Sequence, residues 1–394
     1  MLYLAAIVLA FFLSFLLLTK KNKTSADYLL FAWLAITGFH LLTYYLMSKG
    51  QYENYPGIIA LGFPLPLVQG PFLYLYTMRQ TSPGTFHPKH LLHFLPVIVS
   101  YLLFTEFFLL TGDQKTEVFR NKGEGYETVM AINLYAIYLS GIVYVILTLA
   151  RLSIYRKQMV QTFSNTDKIN FNWLLYLVLW VAAVWIAVLF IQDDRFIFGA
   201  AALFILWLGY FGIRQVQVFT RPLSRIHYVT DAETNIQNQA GSKPALSSVT
   251  SESNKISDTF TYTKYQRSSL TEEEAVMIHK QLLQLMHAEK PFTDPDLTLN
   301  DLAGKLEVHP NHLSQVINTK EEKSFYDLVN ENRVKEFIRL SKQSGSQQYT
   351  LLGLAFDCGF NSKASFNRNF KKYTGMTPSE YLAQSRTELT STQQ

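Results

Sequence analysis

The sequence predicts an all-α protein in two parts: a seven-helix transmembrane bundle followed by a soluble, all-helical double helix-turn-helix domain. Three observations carry that prediction. Charged residues make up 16% of the chain, against about 25% in a soluble globular protein, and the deficit is concentrated before residue 213. Seven apolar runs there approach or reach the length of a membrane span. The C-terminal hundred residues instead alternate short apolar stripes with tight-turn signals, twice over. With 394 residues, two or three domains are expected. The boundaries read as 1–213 for the spans, 214–264 for a linker, 265–296 for an amphipathic helix and 297–394 for the double motif.

A helix needs roughly 17–25 apolar residues to cross the hydrocarbon core. The candidates are Leu2–Leu18, Tyr28–Met47, Gly57–Met78, Leu91–Thr111, Val129–Ala150, Trp173–Ile191 and Phe196–Ile213, and none contains Lys, Arg or Asp. Pro64, Pro66 and Pro71 interrupt the third, which is expected to be a kinked helix. Lys20, Lys21 and Lys23 follow the first run instead of preceding it, the reverse of a cleaved signal peptide. The first run therefore reads as an anchor with its N-terminus outside.

Loop charge tests this orientation independently of hydropathy. Twelve Lys and Arg residues fall in the loops on one side of the seven spans and five on the other. The richer side includes Arg151, Arg156, Lys157, Arg214, Arg221 and Arg225. Positive loops stay inside, so the C-terminus is expected in the cytoplasm and the chain in the cytoplasmic (inner) membrane, in contact with lipid. Polar side chains within spans are few: His40, Gln69, Glu106 and Asn133. Such residues are candidates for sensing a ligand, and packing or interfacial roles are the competing expectation. No charged relay or paired broken helices point to a transporter.

From about Thr230 to Thr259 the chain is rich in Ser, Thr, Asn and Gln and lacks the apolar surface to fold. The 43 residues from Pro222 to Lys264 would span roughly 35–40 Å as a flexible tether. Beyond it, Thr271 and Glu274 form a capping box for an amphipathic helix to Ala288, with Ala275, Ile278, Leu282 and Leu285 on one face.

Two helix–turn–helix patterns follow. In the first, Thr298 and Asp301 start a helix. Leu302, Ala303 and Leu306 face inward, the chain breaks at Val308–His309, and Pro310 opens a second helix with Leu313, Val316 and Ile317 buried. Phe325–Leu340 reads as a spacer helix with Phe325, Leu328, Val329 and Phe337 on its buried side. The second pattern runs from Leu351 to a turn at Gly359, where glycine suits a positive φ. Its second helix, from Ser362 to Tyr373, buries Phe366 and Phe370. That helix presents Lys363, Asn367, Arg368, Lys371 and Lys372 outward, with no acidic residue between 358 and 379. Amide and guanidinium groups suit base edges and lysines suit phosphates. A rigid spacer would let two reading helices enter major-groove faces about 34 Å apart. Net charge works against this: Leu297–Leu382 holds eleven basic and nine acidic residues. The local cluster from Lys363 to Lys372 decides for nucleic acid over a protein-binding face.

These residues resemble the DNA-binding domain of AraC-type transcription regulators from about Leu297 to Leu382, about a fifth of the chain. The most specific stretch is Ala355-Phe-Asp-Cys-Gly-Phe-Asn-Ser-Lys-Ala-Ser-Phe-Asn-Arg-Asn-Phe-Lys-Lys-Tyr-Thr-Gly-Met-Thr-Pro-Ser-Glu-Tyr-Leu382. It matches the family's Cys-Gly-Phe turn, Arg-x-Phe-Lys and Gly-x-x-Pro-x-x-Tyr elements. The resemblance implies specific binding of double-stranded DNA without catalysis. By position it implies base contacts by Asn311, Ser314 and Gln315 in the first reading helix and by Lys363, Ala364, Asn367 and Arg368 in the second. One departure is Lys320-Glu-Glu-Lys323, where the family often has Gly; an acidic pair there weakens contact by the first motif. The apolar part resembles multi-span sensors fused to such domains in some bacterial regulators.

The expectation is a membrane-anchored transcription regulator that couples an outer or intramembrane signal, from an unidentified small molecule or protein, to transcription. RNA polymerase and a second copy of the chain are further partners of such a regulator. The competing reading is a membrane receptor whose helical cytoplasmic domain binds a protein partner. Catalysis is not expected, since no nucleophile and base are assembled and no phosphate loop occurs. Cys358 is the single cysteine, so it cannot form an internal disulfide or a multi-thiol metal site, and it reads as a core residue. No cofactor is implied.

Overall fold

The computed structural model describes residues 1–82, 87–165, 171–191, 193–214, 270–342 and 350–391. Most of the expected 214–264 linker, from residue 215 on, lies outside them. Every named element among the described residues is a helix; one isolated antiparallel bridge joins Phe163 and Thr298. The chain divides into two compact units, Met1–Ile154 with Phe171–Ser242, and Tyr155–Asn170 with Lys243–Gln394.

In the first unit, α1 (Leu2–Thr19) and α2 (Ser25–Ser48) form an antiparallel pair. Thr24 caps α2 in a reciprocal box with Asp27, whose carboxylate also receives Lys20 at 2.7 Å. Five described helices are long and apolar enough to cross a membrane: Leu2–Thr19, Ser25–Ser48, Glu127–Thr162, Trp173–Phe190 and Asp194–Phe211. Their burial pattern suits lipid as the surrounding medium, because Phe12, Phe15, Leu139, Ile146 and Ile186 all point outward where water would penalise a large apolar belt. Between α7 (Glu127–Thr162) and α8 (Phe171–Phe190) the packing is close: a Cβ at Gly141 would lie 2.3 Å from the Trp185 ring. Small residues permit such approach where helices have only van der Waals contact to gain.

The third and fourth expected spans are helical but interrupted. Residues 56–65 form a 3-10 turn and further turns, and α3 runs only from Pro66 to Thr81 with Pro71 inside it. Proline lacks an N–H, so it is tolerated at a helix start but removes an interior bond; Pro66 fixes where α3 can begin. The fourth splits into a 3-10 segment Pro88–Phe94, α4 (Leu95–Leu103) and α5 (Thr105–Phe108). A short α6 (Gly112–Arg120) follows, and α9 (Asp194–Arg214) ends the unit's described helices.

Helix α7 is longer than its apolar run. Its 36 residues measure about 54 Å at the α-helical rise, against about 30 Å of hydrocarbon. Hydropathy marks its apolar part, Val129–Ala150, but Arg151, Arg156, Lys157 and Gln158 are good helix formers and carry the helix onward. The division between the two units falls inside it, after Ile154.

The second unit has two cores. Helix α10 (Glu272–Ala288), capped by Thr271 and Glu274 as expected, packs with α11 (Leu299–Lys305), α12 (Pro310–Lys320) and the start of α13 (Phe325–Ser341) around Leu282, Leu302, Leu313, Val316, Ile317 and Val329. The second core joins the end of α13 to α14 (Leu351–Asp357), α15 (Lys363–Thr374) and α16 (Pro378–Ser391) through Phe337, Ala355, Cys358, Phe366 and Phe370. Each fully buried large apolar side chain stabilises by about 1.5–3 kcal/mol relative to exposure.

The two turns between paired helices are built alike. In the first, Val308 N–H donates to the Ala303 carbonyl and Glu307 N–H to that of Gly304; in the second, Phe360 N–H donates to Ala355 and Gly359 N–H to Phe356. Both are the helix-ending pattern that needs a positive φ at the turn residue, and Glu307 has φ 56° where Gly359 has φ 94°. Ala303 and Ala355 occupy matching positions, both fully buried, where a larger side chain would hold the helices apart.

Salt links fasten α13. Glu336 accepts from Arg339 at 2.7 Å and from Lys290 at 2.9 Å. The Arg339 guanidinium and then Lys290 hold its carboxyl at about 2, despite burial, below the unfolded value near 4.3. A depressed carboxylate contributes stability above its unfolded pKa and loses it as pH falls toward the folded value. Glu336→Gln is therefore expected to destabilise the unit by about 1–2 kcal/mol at pH 7. The gap from the parent should close between pH 4 and pH 2. Denaturant-dependent labelling of buried Cys358 by a dipyridyl disulfide reads this in the full chain; a pH-independent gap would count against the pairing.

Candidate nucleic-acid interface

Helix α15 starts where Ser362 accepts the Ser365 N–H, and ends at Gly375 with φ 80°. Its inner face is Phe366 and Phe370, packed on Phe337 at centroid distances of 4.7 Å (tilted) and 5.6 Å (edge-on). Asn369, also buried, donates from Nδ2 to the Tyr326 hydroxyl at 2.8 Å. These contacts leave Lys363, Ala364, Asn367, Arg368, Lys371 and Lys372 exposed. The periodicity of the apolar residues thus does fix which face is presented.

Two outer residues have partners the sequence did not reveal. Lys372 reaches Asp327 at 2.6 Å and lies over the Tyr373 ring. Arg368 donates from Nη2 to the Tyr326 hydroxyl at 3.3 Å. The Tyr373 hydroxyl donates to the Asp327 carbonyl at 2.8 Å, and burial, reinforced by the Asp327 carboxylate, pushes its phenol up. Tyr326 and Asp327, at the start of α13, therefore orient the basic face of α15. Neither stood out in the sequence, because their partners lie more than forty positions away.

In α12, the His309 ring nitrogen accepts the Asn311 N–H at 3.2 Å, and Pro310 takes the first-turn position. Asn311 is exposed; Ser314 and Gln315 are half-buried. The carbonyl of Ser314 accepts from Asn318 Nδ2 at 2.7 Å, one helical turn on. The two members of the acidic pair after α12 differ in exposure. Glu321 turns onto His279 at 2.7 Å and near Lys323 at 3.7 Å, which leaves Glu322 exposed with φ 53°. That positive φ is a conformation glycine adopts without steric cost.

Buried polar groups hold the unit's two cores in register. Arg333 is 1% exposed. Its Nε donates to the Phe292 carbonyl at 2.7 Å and its Nη2 to the Asp294 carbonyl at 2.7 Å. Its Nη1 reaches Asn330 Oδ1 at 3.2 Å, and the guanidinium lies over Phe360. Burial lowers its pKa to about 10, which leaves it charged at neutral pH.

A family profile described as a helix-turn-helix domain matches residues 302–384. Residues 302–384 are an AraC-type helix-turn-helix domain. Such a domain binds DNA and is not an enzyme family. No curated protein matches the chain, and no solved structure does.

The four polar residues of the spans lie in four different settings. His40 packs edge-on to Phe198 at 4.8 Å. Gln69 accepts from the Trp33 indole N–H at 2.6 Å. Asn133 accepts from Ser100 at 2.6 Å and donates to the Phe63 carbonyl at 3.1 Å. Glu106 is exposed on α5. Among the described residues no hydrogen bond joins any two of the four. Three of them stitch neighbouring segments together, as polar residues in a helix bundle commonly do. No cluster of three or more His, Cys, Asp or Glu residues able to hold a metal occurs among the described residues.

Proposed function

We propose that this chain is a membrane-anchored, sequence-specific DNA-binding transcription regulator, with seven spans, its N-terminus outside and its helix-turn-helix domain in the cytoplasm. The observation that carries DNA reading is the exposed face of α15. It sets an amide and a guanidinium one residue apart, at Asn367 and Arg368, with lysines on either side at Lys363 and Lys371. Base edges demand such forked groups, and phosphates demand the flanking charge. Asn311, Ser314 and Gln315 of α12 supply the second reading edge. The five long apolar helices and the outward apolar side chains support the anchor. The loop-charge asymmetry supports its orientation. A signal in the outer space or the bilayer then changes the proximity of two DNA-binding domains.

The test uses full-length protein in phospholipid nanodiscs and duplex DNA selected from a random library. Arg368→Ala is expected to lower affinity for selected DNA by about 1–3 kcal/mol while sparing random DNA. Lys371→Ala should weaken both alike and reduce the salt dependence by about one counterion. Equal losses on both DNAs for Arg368→Ala would remove its base-reading role. Crosslinking with and without an activating signal tests the proximity mechanism, and an unchanged oligomeric state would sink it.

A further inference from the structure

Residues Tyr155–Asn170, which hydropathy assigns to the loop after the fifth span, cluster with the C-terminal unit. Their last described part is seated on the helix-turn-helix domain by a dense set of bonds. Ser164 is 1% exposed. Its N–H and its hydroxyl both donate to the Leu297 carbonyl, at 3.3 and 2.6 Å. The carbonyl of Ser164 accepts from Asn330 Nδ2 at 2.9 Å and from Arg333 Nη1 at 3.3 Å, and its hydroxyl oxygen accepts from Arg333 Nη2 at 3.2 Å. Phe163 forms an isolated antiparallel bridge with Thr298, at the start of α11. A serine enclosed in this way, with both backbone groups and its side chain satisfied by one domain, is docked and not merely adjacent.

One turn earlier, Gln161 and Asn318 exchange a reciprocal amide pair, 3.1 Å in each direction. Asn318 lies on α12 four residues after Ser314, and its amide also bonds the Ser314 carbonyl. Positions four apart share one face of a helix. Gln161 therefore sits at the edge of α12 that carries Ser314, the edge assigned above to base reading. An amide pair satisfied by protein cannot also serve a base or a phosphate.

We propose that residues 159–165 are an intramolecular latch, anchored by Ser164 in the Leu297–Asn330–Arg333 recess, that masks the Ser314–Asn318 edge of the first reading helix and is released when DNA binds. The inference rests on the DNA-reading proposal for its consequence, but the docking itself does not. The latch begins in the last turn of α7, which ends at Thr162, and runs three residues beyond it, so a change along α7 is carried to the latch by the chain itself. It does not need the 214–264 linker. DNA and the latch compete for one edge, and whatever loosens the latch raises affinity by the population of the closed form that it removes.

The experiment uses full-length Gln161→Cys/Asn318→Cys protein in nanodiscs, joined by a short, reducible bis-methanethiosulfonate. Buried Cys358 is the one native thiol. Crosslinking is expected to proceed in high yield and to lower affinity for the selected duplex at least tenfold, with recovery on reduction. The release variants Gln161→Ala and Ser164→Leu are expected to bind that duplex several-fold more tightly than the parent. A crosslink that leaves affinity unchanged overturns masking. Failure to crosslink overturns docking. If the uncrosslinked protein selects no duplex, DNA reading fails and masking falls with it, while crosslink yield still reports the docked segment.

Discussion

Arg333→Met should leave the C-terminal unit largely open, with Cys358 labelled rapidly under conditions where the parent protects it. The guanidinium donates from Nε and Nη2, along one edge of its plane, to the Phe292 and Asp294 carbonyls, and from Nη1 to that of Ser164. Methionine fills much of the volume but donates nothing, so the buried Phe292 carbonyl and the part-buried Asp294 carbonyl both lose these donors. Breaking one partner of a buried charged network costs about 3–5 kcal/mol, much of the 5–15 kcal/mol total of a typical domain. Lysine would retain the charge but not the fork, and a point donor cannot reach both carbonyls. Arg333→Lys should therefore fall between parent and Arg333→Met. Unchanged Cys358 labelling in Arg333→Met would show that the network contributes little.

Gly359→Ala should be nearly as damaging, at about 3–4 kcal/mol, from two causes. A side chain at a positive φ costs about 1–2 kcal/mol, and forcing a methyl into a packed site costs about 1–3 kcal/mol more. The second term is specific here. The new Cβ would lie 2.4 Å from the Phe292 carbonyl oxygen and 2.9 Å from Arg333 Nε, two atoms already hydrogen-bonded to each other at 2.7 Å. Neither is the free end of a flexible side chain. Because both substitutions strike that bond, their costs should not add. The double variant should lose less than the sum of the two single losses, a coupling that a double-mutant cycle reads directly. Strict additivity would mean that the clash is relieved elsewhere.

The caps and turns were legible because they are local. Thr271 with Glu274, and Thr298 with Asp301, declare themselves within four residues, and the structure forms both boxes. The outward face of α15 followed from Phe366 and Phe370 alone. Less visible was anything joining distant positions. Ser164 and Arg333 are 169 residues apart, and Lys372 and Asp327 are 45 apart; no periodicity connects them. Hydropathy misjudged the extent of α7 for a different reason. It reports solvent preference, whereas a helix continues through Arg156 and Lys157 as readily as through leucine. The prolines at 64, 66 and 71 are plain in the sequence, but only the backbone shows the turns at 59–65 and the helix that starts at Pro66.

The two matching turns differ in how freely they can vary over generations. Residue 307 shows that the turn itself admits an ordinary side chain, since Glu307 adopts φ 56° there. At residue 359 the same turn is closed against the Phe292 carbonyl, and a single added carbon is excluded. Position 307 can therefore take a side chain without endangering the turn, while position 359 is held to glycine.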